Sequence, residues 1–114
     1  MNWKNNFKKG KQIILATSSS KSIPNANIVI SLGFVDNKIL VADCQMKNTI
    51  RNLRQNPNIS AVGGYFRING TAKIFSSGKY FDLCAKDEGE YIVKNAILIT
   101  PKQVFNLDKV RIVK

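Results

Sequence analysis

The sequence predicts a mainly β domain, a small antiparallel barrel of six or so short strands with two or three small helices between them. Short runs of apolar and β-branched residues recur along the chain, and such runs are typical of strands. Clusters of turn-forming residues separate them, and the connections are too short for the crossovers of a doubly wound parallel sheet. The 114 residues, 44% of them hydrophobic, predict a single domain spanning residues 1–114.

The N-terminal segment predicts a short helix followed by a strand. Trp3 and Phe7 are four residues apart and would share one face of a helix over residues 3–9, which Gly10 ends. Residues 11–17 (KQIILAT) form an apolar run of strand length. The turn formers SSSKSIPN follow, so we expect a loop that leads into the next strand.

The next two strands are predicted to form a hairpin. The first begins near Asn25, and residues 27–35 (NIVISLGFV) are apolar almost throughout, which predicts a strand covered on both faces. Asp36 and Asn37 suit a tight turn. Residues 38–43 (KILVAD) therefore return as the partner strand.

A short helix is predicted over residues 48–55. Ile50 and Leu53 fall on one side of it, and the polar residues of the segment fall on the other. The helix stops before Pro57, because a proline ring disfavours helix in the residue preceding it. The apolar side needs a sheet to pack on.

Two strands follow this helix, over residues 59–66 and 67–76, because both segments alternate in polarity. One of two glycine-containing pairs is expected to mark a bulge or a close approach of two backbones: Gly63-Gly64 or Asn69-Gly70.

The last third of the chain predicts a helix and two strands. The helix covers residues 78–86 and should pack inward through four residues: Tyr80, Phe81, Leu83 and Cys84. Residues 95–105 (NAILITPKQVF) return as a strand, which Pro101 would push to an edge or a bend. The tail DKVRIVK alternates in polarity and predicts an edge strand.

The formal charge of +11 indicates an anionic partner, either nucleic acid, an anionic membrane or an anionic cofactor. Tyr65, Phe66 and Arg67 place aromatic rings beside a cation, as in proteins that stack bases, so a basic nucleic-acid-binding β-barrel is the alternative function. Most cations stand singly between apolar residues, as on a solvated surface, which argues against nucleic acid as the partner.

Several chemistries are excluded by residues that the sequence lacks. The chain has no histidine, and its two cysteines, Cys44 and Cys84, do not form a CxxC motif. A Cys/His zinc site, a Ser-His-Asp or Cys-His nucleophile and a histidine base are therefore impossible. No run approaches the roughly 18 apolar residues of a membrane span, and no signal peptide is recognisable. We expect a cytoplasmic protein with reduced, buried thiols and neither metal nor membrane binding.

The stretch from Lys38 to Tyr65 is the most informative part of the sequence. It predicts a buried strand, a polar elbow, a short helix that opens with Lys47, Asn48 and Thr49, and a second strand. The N–H groups at a helix start have no partner within the helix and lie at the positive end of the peptide dipoles. A cation and a hydroxyl added there favour a phosphate, so we expect a phosphorylated ligand.

The order and spacing of several motifs are quite specific when taken together: ILAT, then Pro24 leading to NIVISLGF, KILVAD, MKNTIRNLRQNPNIS, GYFRINGTAKIFSSG and AILITPKQVFNL. Over nearly its whole length the chain resembles the FMN-binding split barrel of the pyridoxamine 5′-phosphate oxidase-like superfamily, especially its small single-domain FMN-binding proteins. The resemblance implies a six-stranded antiparallel split β-barrel of the Greek-key type. It also implies an obligate homodimer with two FMN sites at the interface, and a chain of this size already favours a dimer.

The resemblance implies that a Lys-Thr pair at the elbow holds the FMN phosphate. Thr49 matches this pattern, whereas Lys47 stands one position earlier, from which its flexible stem either reaches the phosphate or points to solvent. The whole implied cofactor-binding set is Val29, Ile30, Ser31, Ala42, Asp43, Cys44, Gln45, Lys47, Asn48, Thr49, Asn52 and Arg67. Ordinary structural roles remain open for Val29 and Ile30 as core, Asn52 as a helix residue bonded to backbone, and Arg67 as a surface cation. No catalytic side chain is implied.

The implied chemistry belongs to the flavin, which makes the chain a small FMN-dependent oxidoreductase or an electron carrier with a possible nicotinamide donor and an unknown substrate. It is not expected to be a true pyridoxamine phosphate oxidase, because those enzymes are longer and place an arginine-and-histidine motif near the C-terminus. Heme or a deazaflavin in the same cleft, and a nucleic-acid-binding barrel without flavin, remain as alternatives.

Overall fold

The computed structural model describes residues 2–87, 89 and 91–114, and its eight strands form one antiparallel sheet. The strands are β1 (Gln12–Ser18), β2 (Pro24–Ile30), β3 (Phe34–Val35), β4 (Lys38–Asp43), β5 (Asn58–Gly63), β6 (Phe66–Phe75), β7 (Asn95–Asn106) and β8 (Arg111–Ile112). The helices are α1 (Lys47–Gln55), α2 (Lys79–Asp87) and an N-terminal 3-10 helix (Trp3–Phe7). No helix in the described part of the chain is both long and apolar enough to cross a bilayer.

The strand order differs from a closed six-stranded barrel. The order is β2-β1-β5-β6-β7-β4-β3, with β8 added beside β7, and among the described residues β2 and β3 end the sheet without pairing to each other. The expected six strands are therefore eight. The two additional strands, β3 and β8, each have only two residues, so six longer strands carry the sheet.

Strand β2 corrects the expectation that residues 27–35 form a strand covered on both faces. Its regular part ends at Ile30, and it pairs only with β1 at the end of the sheet. Because nothing in the described part of the chain covers its outer face, the Ile28 and Ile30 side chains are 63% and 51% exposed. The chain then bends at Gly33, whose φ of +92° suits glycine.

The hairpin between β3 and β4 confirms the predicted tight turn. Asp36 and Asn37 both have positive φ, 53° and 63°, which matches the twist of two antiparallel strands. The Asp36 carboxylate accepts hydrogen bonds from Lys79 and Tyr80 at 2.9 and 2.7 Å, which links the turn to α2. The hydrogen bond from Lys79, followed by that from Tyr80, holds the pKa of Asp36 below its ordinary value.

The predicted glycine sites are both close backbone approaches. A side chain at Gly63 would meet the carbonyl oxygen of Asn6, and one at Gly70 would meet the carbonyl oxygen of Thr100. The pairing of β6 with β7 shifts register between Asn69 and Gly70, opposite Pro101. Pro101 therefore lies at a bulge inside the sheet, as the predicted bend requires, and not on an edge strand.

The helices pack on opposite parts of the sheet and divide the core. The main cluster is filled by the N-terminal 3-10 helix and by α1, with Phe7 fully buried at its centre. That helix is shorter than the predicted helix over residues 3–9. A second cluster lies under α2, where Cys84 is buried as predicted. Leu83 was expected to pack inward but is 37% exposed, because it falls on the outer side of α2.

Replacing Gly70 with alanine should lower the free energy of unfolding by about 1–3 kcal/mol, because the new methyl group meets a backbone carbonyl that cannot rotate away. Urea denaturation followed by Trp3 fluorescence measures this. Ser77→Ala, at an exposed position in the loop before α2, is the matched control and should leave the midpoint unchanged. A wild-type midpoint for Gly70→Ala would contradict the bulge geometry.

Candidate anion-binding site

The elbow between β4 and α1 is built around the carboxylate of Asp43, which is 2% exposed. One oxygen accepts the Met46 N–H at 2.6 Å, and the other accepts a hydrogen bond from the Asn95 side chain at 2.8 Å. Asn95 is also the residue that pairs with Asp43 across β4 and β7. Because these bonds tie the end of β4, the start of β7 and the residue before α1 together, they determine where α1 begins.

The inner side of the α1 start is closed by neutral polar side chains. Thr49 is 1% exposed; its hydroxyl donates to Asn27 Oδ1 at 2.9 Å and accepts from Asn25 Nδ2 at 3.2 Å. One turn later, the buried Asn52 donates to Thr17 Oγ1 at 3.1 Å. This network fastens α1 to β1 and β2, and it satisfies groups that would be costly to bury alone.

The outer side of the α1 start opens into a cleft of about 420 Å³, which we call the α1 cleft. Its lining residues are Asp43, Gln45, Met46, Lys47, Ile50, Arg51, Arg54, Lys94 and Asn95. Met46 precedes the helix without capping it by a side-chain hydrogen bond. The Met46 and Lys47 N–H groups donate to the Asp43 carboxylate and the Gln45 carbonyl. The main-chain donors of the helix start without a partner among the described residues are those of Asn48 and Thr49, which lie between two residues of a cleft rimmed by four cations.

The cations of the α1 cleft are not neutralised within the described residues. The described residues form two ion pairs, Lys9 with Asp87 and Lys79 with Asp36. Neither pair includes a residue of the α1 cleft. The nearest acid, Asp43, already accepts a hydrogen bond on each oxygen. The described residues contain no group of three or more acidic or cysteine side chains that could hold a metal ion. The cations of the cleft favour an anion.

A second cleft, of about 390 Å³, lies on the other side of α1, against the turn between β1 and β2. Lys21, Asn48 and Arg51 line it together with Asn25 and Asn52. Gln55 partly closes it, because its side-chain oxygen accepts hydrogen bonds from the N–H and the hydroxyl of Ser20. Arg51 lines both clefts and so lies on the ridge between them.

Six of the residues implied by the resemblance lie around the α1 start. Asp43, Gln45 and Lys47 line the α1 cleft, while Asn48 and Asn52 line the second cleft. Thr49 lies between the two clefts, with its hydroxyl enclosed by the asparagines of β2.

Five others lie away from either cleft. Val29 is buried in the main core, and Ile30 projects from the outer face of the sheet. Ser31 is fully buried; its hydroxyl donates to the Phe7 carbonyl at 2.7 Å and accepts the Gly33 N–H at 3.0 Å. Ala42 and Cys44 are half-buried and pack against the cluster under α2.

Arg67 lies at the opposite end of β6 from the strand end nearest the elbow. Phe75, the last residue of β6, pairs with Ala96, next to Asn95, and eight residues of strand separate it from Arg67, roughly 26 Å. The Arg67 guanidinium stacks over the Phe105 ring at 5.0 Å. Its Nε is buried without a hydrogen-bond partner among the described residues. Arg67 therefore does not line the α1 cleft of its own chain.

The sequence did not indicate Lys94 and Asn95 as site residues. It predicted only that the polar residues of α1, which include Arg51 and Arg54, lie on the side opposite Ile50 and Leu53. These residues could not be predicted, because the strand register that sets Asp43 opposite Asn95 joins two segments more than fifty residues apart. The sequence offers one signal, the polar Asn95 directly before an apolar run, but this signal does not identify Asp43 as its partner.

Comparison with known proteins places this architecture in a family. Residues 3–113 match the family model for pyridoxamine 5′-phosphate oxidase. HupZ from Group A Streptococcus has a similar structure, with a TM-score of 0.81 and 22% identity, and the match covers 90% of each chain.

Two further structures share the fold at 16% identity. An FMN-binding protein from Syntrophomonas wolfei gives a TM-score of 0.71 and covers 90% of this chain and 79% of that one. HutZ, the heme storage protein from Vibrio cholerae, gives a TM-score of 0.68 and covers 90% of both chains. At these identities the structural likeness establishes the fold, and the ligands belong to those proteins.

Replacing Thr49 with valine should lower the free energy of unfolding by about 1–3 kcal/mol, because it leaves the half-buried Asn25 and Asn27 without their shared partner. Thermal or urea denaturation measures the loss. Thr49→Ser keeps the hydroxyl and should cost clearly less. Equal stability of the valine and serine variants would show that the hydroxyl network does not fasten α1.

Proposed function

Because this chain belongs to the pyridoxamine 5′-phosphate oxidase family, we propose that it is a small FMN-binding flavoprotein whose flavin phosphate lies in the α1 cleft. One observation supports this most strongly: the uncapped start of α1 faces a cleft in which four cations lack ion-pair partners among the described residues. A phosphate supplies the negative charge that this arrangement favours.

The residues present fit an FMN phosphate, although not in the way that the sequence implied. The Thr49 hydroxyl is already committed to two asparagines, so Thr49 would contribute its main-chain N–H. Lys47 and Lys94 would supply charge from the rim of the α1 cleft, and Asn48, which lines the second cleft, would add its main-chain N–H. In this proposal Asp43 sets the helix start and does not touch the anion.

The protein's part in the chemistry would be to position the flavin and to set the charge around its ring. FMN, when bound, supplies the electron-transfer chemistry. Main-chain groups of Gln45, which lines the α1 cleft, are suited to hold the edge of a planar ring by hydrogen bonds. With no histidine in the sequence, we propose an oxidoreductase or electron carrier rather than the vitamin B6 oxidase activity itself.

We further propose that the protein is a homodimer, because an apolar row crosses the exposed face of its sheet. Strand register places five apolar residues in this row, Ile28, Ile14, Val62, Phe105 and Ile112, with Arg67 between Val62 and Phe105. Three of them are isoleucines that are 42% to 63% exposed in the single chain. A second copy of the chain would bury this row and place the flavin sites at the interface. A small chain gains the most stability from such burial, because it leaves much of its apolar surface uncovered.

Purified protein reconstituted with FMN should show flavin absorbance after gel filtration. Lys47→Ala should weaken FMN binding about tenfold, because a charge-assisted contact to phosphate is lost. Lys86→Ala removes an equally exposed helix lysine outside the α1 cleft and should leave the affinity unchanged. Absence of FMN binding would overturn the proposal, and a Soret band after heme addition would favour heme as the occupant.

Replacing Ile28 with aspartate should convert the dimer to monomer, because it places a charge in the apolar row. Analytical ultracentrifugation measures the change. Ile92→Asp is the matched control, since Ile92 is 81% exposed in the loop before β7 and lies outside this row. Wild-type protein that sediments as a monomer, or an Ile28→Asp variant that remains dimeric, would contradict this interface.

A further inference from the structure

The cations of α1 extend beyond the space that one phosphate needs. Lys47, Arg51 and Arg54 recur at intervals of four and three residues, so they form one stripe along the exposed side of the helix. Seven residues of helix rise about 10 Å between the first and the last. A phosphate at the helix start lies beside Lys47 and leaves the two arginines without an anion.

This stripe has an electrostatic cost within the folded chain. Like charges three or four residues apart on a helix repel, and α1 contains no acidic residue to offset them. Neither ion pair of the described residues involves the two arginines. An anion that bridges Arg51 and Arg54 would remove this repulsion, and guanidinium groups match phosphate oxygens in pairs.

The shape of the α1 cleft favours a small ligand over a protein or nucleic-acid surface. The cleft is concave and has the volume of a small-molecule site. Half-buried Met46 and Ile50 provide apolar surface below the cationic rim, and both pack against the main core. Gln45 and Asn95 add polar groups at the elbow end. A ligand that suits this lining combines a flat apolar part with two adjacent negative charges.

We infer that the α1 cleft binds a nucleoside diphosphate group, with the diphosphate on Arg51 and Arg54 and the base or sugar over Met46 and Ile50. This inference rests on the proposed function in one respect, that the flavin phosphate takes the Lys47 end of the same cleft. The group could belong to a free nucleoside diphosphate or to a dinucleotide that would meet the flavin in this cleft.

Isothermal titration calorimetry with ADP, NADPH and AMP, each with and without FMN, tests the inference. ADP or NADPH should bind, and AMP should bind at least tenfold more weakly, because it lacks the second phosphate. Tighter binding of NADPH than of ADP would indicate a dinucleotide. Tighter binding of ADP would indicate a free nucleotide. Arg54→Gln keeps a good helix former and should weaken ADP binding about tenfold but FMN binding clearly less, because the flavin phosphate lies at the Lys47 end of the cleft.

The control is Lys86→Gln on α2, which should alter neither affinity. ADP binding without FMN binding would overturn the proposed function and leave this inference standing. FMN binding without ADP or NADPH binding, or ADP affinity insensitive to Arg54→Gln, would overturn the inference alone. Salt-dependent binding of single-stranded DNA in place of ADP would also overturn it, because the stripe would then serve a nucleic-acid backbone.

Discussion

The buried carboxylate of Asp43 is the constraint on which the candidate site depends. It holds the Met46 N–H on one side and the Asn95 side chain on the other, so it fixes the end of β4, the start of β7 and the beginning of α1 together. An unpaired carboxylate in this place would be costly, and two hydrogen bonds offset that cost. The elbow therefore has one stable geometry, and the helix start faces a fixed direction.

The two sides of the α1 start have different chemistry for a physical reason. On the inner side, the Thr49 hydroxyl donates its proton to Asn27 and accepts from Asn25, so it is not available to an anion. On the outer side, the cations of α1 and Lys94 face solvent over an apolar floor. Neutral polar groups therefore hold α1 on the sheet, and the cations lie on the side where a ligand can enter. The hydrogen bonds of the inner side thus keep α1 in place beside the open α1 cleft.

Local features of this fold could be predicted from the sequence, and features set by distant pairing could not. The Asp36-Asn37 turn, the end of α1 before Pro57 and the bulge at Gly70 follow from backbone preferences of single residues, and the structure has all three. The exposure of β2, by contrast, follows from its place at the end of the sheet. Likewise, Ser31 and Thr49 suggest ligand contacts by type, but their hydroxyls meet partners that only the assembled sheet supplies.

In the proposed function, an anionic group of a flavin rests on the amino end of α1. Nuclear magnetic resonance of ¹⁵N-labelled protein titrated with FMN tests this most directly, because it reads the main-chain N–H groups themselves. We expect the largest shift changes at the amides of Lys47, Asn48 and Thr49, with little change at the far end of β6 near Arg67. Saturation with FMN that leaves these three amides unmoved would contradict the claim.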